Sequence, residues 1–265
     1  MKIMTKISPE QSIDCKLQII GCKDIDITLN NSINDYSIEP YKVEKDGIRK
    51  YLIYSVHKNG KTLRQFINDL NELKPKRSFR QSFRKQLIMY PTDLLIQLID
   101  ACDYLLSNNI LLSQSHINPD LIWVETDINS TIKLKFIDTL DYAVENEMGD
   151  VYLSPELLGK KNHLQYYASE SYTEKHRKLK RYDTRPSTIS SVYSLGLVMY
   201  FMITNKDPFI GSRVNVNERP YLGYVNPDYS KLIWVATEPD PKIRPTLKEL
   251  REMIVNVKTD TWCCI

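Results

Sequence analysis

At 265 residues the chain is long enough to bury a large core and to hold one or two domains. A formal charge of +3, from 36 Lys and Arg against 33 Asp and Glu, is too small by itself to imply a nucleic-acid ligand. No apolar run approaches the ~20 residues of a membrane span and Met1 to Lys6 carry no signal-peptide pattern, so a cytoplasmic protein without a membrane span is expected. The five cysteines, Cys15, Cys22, Cys102, Cys263 and Cys264, are odd in number and fit no metal-binding spacing, as in a reducing compartment. Trp262-Cys263-Cys264-Ile265 lacks a Cys four from the end, so it is no prenylation box and reads as an exposed tail.

In chain order, Cys15 to Cys22 and Asp24 to Leu29 have strand character. Ser37 to Val43 and Lys50 to Val56 read as the alternating strands of a hairpin about an Asp46-Gly47 turn. Thr62 precedes Leu63, Phe66, Ile67 and Leu70, an i, i+3, i+4, i+7 helical stripe. A second helix, Thr92 to Asn109, aligns Leu94, Leu95, Leu98, Cys102 and Leu105. Lys133 to Ile137 forms a strand, and Val192 to Thr204 is apolar nearly all round, the pattern of a helix buried on every side. Thr246 with Glu249 makes a capping box ahead of Leu250, Met253, Ile254 and Val257. All these stripes read as core.

Three motifs stand out: Leu153-Ser154-Pro155-Glu156, Val192-Tyr193-Ser194-Leu195-Gly196, and Asp240-Pro241 followed by Arg244-Pro245-Thr246. In order and rough separation they resemble the large lobe of protein kinases, with an insertion between the first two. The resemblance runs over about Tyr36 to Val257. It implies an α+β, protein-kinase-like two-lobed fold, with an abbreviated β-rich small lobe over residues 1–57 and a mainly helical large lobe over residues 58–265. The hairpin resembles the last two strands of the small lobe. Met1 to Tyr36 are too few for three further strands and a helix at about 5–6 and about 11–12 residues each, plus loops. The resemblance also implies a buried structural ion pair between Glu156 and Arg244.

The residues of phosphoryl transfer are mostly replaced. Leu111 to Val124 resembles the catalytic loop of the family, and Pro119 with the strand pattern after it fixes the register. The proton-accepting Asp then falls on His116, its Lys partner on Asn118 and the metal-binding Asn on Leu121. An imidazole can accept a proton near neutral pH, but a leucine offers a hard cation no oxygen. Lys133 to Leu140 resembles the strand ending in Asp-Phe-Gly, with Asp138 as the one candidate metal ligand and Thr139 and Leu140 replacing the Phe and the φ-permissive Gly. A turn aspartate of this kind also bonds nearby backbone N–H groups. No Gly-x-Gly occurs to cradle phosphates. Lys16 or Lys23, with Glu10 or Asp14, is an alternative phosphate-binding pair, although exposed strand lysines explain them more simply. Ser191 stands where the family has the Asp that supports the catalytic loop.

Two basic segments with aromatics, residues 74–85 and 159–187, interrupt the family pattern; the second carries Arg177, Lys178, Lys180 and Arg181. Such runs are solvated faces or surfaces for an acidic protein, a phosphate-rich ligand or RNA. The sequence as a whole points to a pseudokinase that binds or scaffolds a protein partner, with no cofactor expected. The alternatives are a divergent ATP- and magnesium-dependent kinase or other nucleotide-dependent transferase, using His116 as base and Asp138 as metal ligand, and a nucleic-acid-binding module acting through the basic inserts. Richness in Ile, Asn and Lys fits an AT-rich genome, such as that of a virus or an intracellular microbe.

Overall fold

The computed structural model describes residues 12–19, 35–47, 49–72, 91–108, 117–126, 131–138, 149–157, 187–209, 219–223 and 225–257. Strand β1 (Ser12–Ile19) and strand β3 (Lys42–Asp46) flank β4 (Arg49–His57) in an antiparallel sheet. Side chains alternate across this sheet. Leu52, Tyr54 and Val56 therefore share one face, with Cys15, Leu17 and Val43 packed on the same apolar cluster. Ile53 is buried on the opposite face, between Lys16 and Lys42 in the register.

The predicted hairpin needs correcting at both ends of its first strand. Ser37–Ile38 leaves the hairpin to form β2, which pairs in parallel with β7 (Ile132–Ile137). Pro40 has no N–H to give a continuous ladder, so the chain changes sheets there. Asp46 pairs with Arg49, which moves the turn one residue beyond Asp46-Gly47, and Gly47 takes φ +58°, a value that glycine adopts at no steric cost. The first strand likewise begins at Ser12, ahead of Cys15.

A second sheet has the order β2, β7, β6 (Ile122–Thr126) and β5 (Lys61–Thr62). Thr62 then caps helix α1 (Leu63–Glu72): its hydroxyl accepts the Gln65 N–H at 3.2 Å and its own N–H donates to the Gln65 side chain at 3.1 Å. Helix α2 (Pro91–Ser107) covers this sheet, and the Gln97 amide donates to the Ile132 carbonyl and accepts the Leu134 N–H, pairing β7 backbone groups beyond the end of β2.

Helix α3 (Thr188–Thr204) starts at a Ser187–Ser190 capping box and ends at Asn205, in the left-handed conformation with φ 52°. Every residue from Ser190 to Met202 is buried, as the all-round apolar pattern requires. Helix α4 (Pro227–Ala236), capped by Asn226, crosses it at Gly196, where a Cβ would stand 2.8 Å from the Ala236 Cβ. Helix α5 (Leu247–Val255) carries the predicted Thr246–Glu249 capping box. These helices with α1, α2, β6 and β7 enclose the main apolar core. A smaller cluster, Ile38, Leu52, Tyr54, Val56, Leu121, Trp123 and Ile137, joins the first sheet to the second and draws on both sides of position 57.

No helix among the described residues is long and apolar enough to cross a membrane. Lys23, Glu10, His116, the strand proposed over Asp24 to Leu29, Cys22, Cys263, Cys264, the insert at 74–85 and residues 159–186, with Arg177, Lys178, Lys180 and Arg181, lie outside the described residues.

Candidate functional site

The turn after Ile117 builds the floor of the candidate site. Asn118 is buried, and its Oδ1 accepts the N–H of Asp120 at 2.9 Å and of Leu121 at 3.2 Å, holding the chain in a tight turn ahead of β6. Leu121 is 2 % exposed within the smaller apolar cluster. The Ile137 N–H donates to the Leu121 carbonyl at 2.8 Å, so the fold brings Leu121 and Asp138, the two predicted metal-ligand positions, to adjoining strands. Asp138 is itself pinned through its backbone: its N–H donates to the Ile38 carbonyl, and its carbonyl accepts the Tyr54 hydroxyl at 2.7 Å. Burial, with the Asp138 carboxylate second, holds the Tyr54 hydroxyl well above the usual phenol range.

Trp123, two residues along β6, closes this region. Its indole is 6 % exposed and lies against Gly60, where an added Cβ would stand 2.2 Å from Nε1. Gly60 belongs to a turn closed by its N–H on the His57 carbonyl at 2.8 Å. The indole N–H is buried and has no hydrogen-bond partner among the described residues.

On the other side of the Asn118 turn, Arg64 at the start of α1 gathers groups from distant segments. Its Nε donates to Asp120 at 2.7 Å and its Nη atoms to both oxygens of Asp207, at 3.2 and 3.0 Å. The Tyr152 hydroxyl donates to Asp207 at 2.8 Å, and the Phe201 ring lies 4.7 Å from the guanidinium carbon. The Arg64 N–H also donates to the Pro119 carbonyl, which ties α1 directly to the Asn118 turn. Sequence reasoning missed this set, whose members are 56 and 143 residues apart and share no motif.

Glu156 and Arg244 come together. Arg244 donates to both Glu156 oxygens, at 2.8 and 3.1 Å, and its remaining N–H groups reach the carbonyls of Glu238, Ile189 and Pro239. The Tyr193 ring lies 5.0 Å from the guanidinium. Burial, the largest single influence, would raise the Glu156 carboxyl; the Arg244 hydrogen bonds and charge, with a backbone and a Ser154 hydrogen bond, together outweigh it and hold the group below its ordinary range. Ser191 is fully buried in α3, beside the Cys102 thiol of α2, which burial pushes up to about 12.

Lys16 does not meet Asp14. It is exposed and, with Lys42, grips Glu44 across the sheet, which lowers the Glu44 carboxyl to about 2. Among the described residues no group of three His, Cys, Asp or Glu is placed to hold a metal ion.

No protein-family model matches the chain. Over 253 residues it is 27% identical to a protein of Acanthamoeba polyphaga mimivirus named "Putative serine/threonine-protein kinase R436", covering 89% of this chain and 79% of that one. Over 172 residues it is 27% identical to serine/threonine-protein kinase PLK1 of Xenopus laevis, covering 59% of this chain and 24% of that one. The relationship is protein-kinase-like. The α+β arrangement of helices and sheets fits it.

Proposed function

We propose that this chain is a pseudokinase, a two-lobed kinase-like protein that binds or scaffolds a partner in the cytoplasm rather than transferring phosphate. Leu121 carries the reading. Phosphoryl transfer depends on positioning and on metal ions that neutralise the phosphates, and magnesium demands oxygen ligands in near-octahedral geometry. At the first of the two ligand positions stands an aliphatic side chain buried among Leu52, Tyr54 and Trp123. The oxygen of Asn118 is spent on backbone N–H groups, which leaves Asp138 as the one carboxylate matched to the family's metal site. This donor set does not fit magnesium with a nucleotide.

The test is a thermal melt with millimolar ATP and magnesium. A ligand that binds the native state must raise its apparent stability, and no magnesium-dependent rise is expected. A rise that disappears in Asp138→Ala would overturn the reading in favour of a divergent kinase with His116 as base, the alternative that the names of the relatives favour.

The partner surface we assign to the basic insert with Arg177, Lys178, Lys180 and Arg181. Neutralising the four together is expected to leave the melting temperature nearly unchanged, because surface charges remote from the core usually matter within about ±0.5 kcal/mol each. Capture of an acidic protein partner should weaken, since such charges steer association. RNA capture that falls steeply with salt would instead mark a nucleic-acid module, and an unchanged partner set would leave the run a solvated loop.

A further inference from the structure

We infer that Trp123 is a built-in plug: its indole fills the place between the two sheets that a planar heteroaromatic ligand, a nucleoside, would take if the site opened. The inference rests on the pseudokinase reading and concerns what keeps the site shut.

Position comes first. Leu121 and Trp123 lie two residues apart at the start of β6 and belong to one apolar cluster, with Ile137, the neighbour of Asp138, beside them. Phosphates and metal held at positions 121 and 138 would place the attached nucleoside within a few residues of that point, in the same cluster. Leu52, Tyr54 and Val56 of β4, Ile38 of β2 and Ile137 of β7 belong to the same cluster as the indole. These are flat or branched apolar surfaces of the kind that grips an aromatic ring. The indole already lies there.

Shape is the second observation. An added Cβ on Gly60 would meet three atoms of the indole, Nε1, Cε2 and Cζ2, at 2.2, 2.6 and 2.8 Å. The ring edge is therefore pressed on the backbone of the turn that links β4 to β5, in a space that exists because residue 60 has no side chain.

The third observation is the unmet donor. A buried tryptophan usually finds a partner for its N–H, and an unsatisfied buried donor is costly. Packing alone would be served as well by a phenylalanine. Here Nε1 is buried, pairs with nothing among the described residues, and lies close to Gly60. A nucleobase has the same flat shape and a nitrogen-bearing edge, so in this reading the indole stands in for it.

Trp123→Ala and Trp123→Leu test this, with adenosine and indole as separate metal-free probes in thermal melts and circular dichroism as the check on folding. The leucine variant keeps apolar filling, so a folded protein carries the test even if the alanine variant melts. The wild-type melting temperature is expected to stay put with either probe. In the variants adenosine should bind saturably, at least tenfold tighter than to the wild type, and raise the melting temperature. A folded variant that takes indole alone would show only a cavity of the lost ring's shape and would overturn the inference, as would a variant that takes neither. A magnesium–ATP shift in the wild type would sink the pseudokinase reading instead, whatever the variants do.

Discussion

Arg244→Ala is expected to cost about 3–5 kcal/mol of folding stability, because it leaves a partly buried carboxylate without its counter-ion. It also strips three carbonyls, those of Ile189, Glu238 and Pro239, of a donor. Glu156→Ala leaves the Arg244 side chain, which is 0% exposed, without its counter-ion but still bonded to the three carbonyls, so it should fall at the lower end of that range. Urea denaturation of the two single variants and the double variant checks this: the double loss should be smaller than the sum, because the shared contact is removed once. Additive losses would mean that the two residues do not act as a pair. The pH dependence has a fixed direction. Glu156 has a lowered carboxyl pKa in the folded chain. Its contribution is therefore fully present above the unfolded value of about 4.3 and drains away as the pH falls through the lower folded value. Glu156→Gln should flatten that acid limb.

Gly60→Ala should destabilise by about 1–3 kcal/mol, the usual cost of forcing an extra methyl into a packed site. The methyl would overlap an indole ring that is itself enclosed by the smaller apolar cluster, so the ring cannot simply swing aside. In a Trp123→Leu background the same substitution should cost markedly less, because the atoms it strikes are gone. Chemical denaturation of the four proteins measures the difference. An equal penalty in both backgrounds would show that the glycine answers to its own backbone and not to the indole.

Local patterns were the legible part of the sequence. The stripes of α1 and α2, the all-round apolar run of α3 and the Thr246–Glu249 box each follow from a 3.6-residue period or a capping pair within a few residues. β2 was not legible, because Ser37–Ile38 carries the same alternation as the hairpin that follows, and pairing with β7 is decided about a hundred residues away. The Thr62–Gln65 box went unread although its spacing was visible. At the candidate site, aligned motifs located Asn118, Leu121 and Asp138, but not how they are held. Trp123 against Gly60, and Arg64 between Asp120 and Asp207, are meetings of segments far apart in the chain. No spacing within a short window encodes them, since such contacts are products of tertiary packing.

Helix α3 bears on how the chain is made as well as on how it stands. A cylinder apolar on every side has no face to show to water, yet α4 and α5, which help to wrap it, are encoded after it. On the ribosome, at about 5–20 residues per second, the stretch from Thr204 to Val255 takes roughly 2–10 s to emerge. For that interval the most apolar helix among the described residues is finished while two of the helices that cover it are missing, a natural client for a holdase and the point from which misassembly would start.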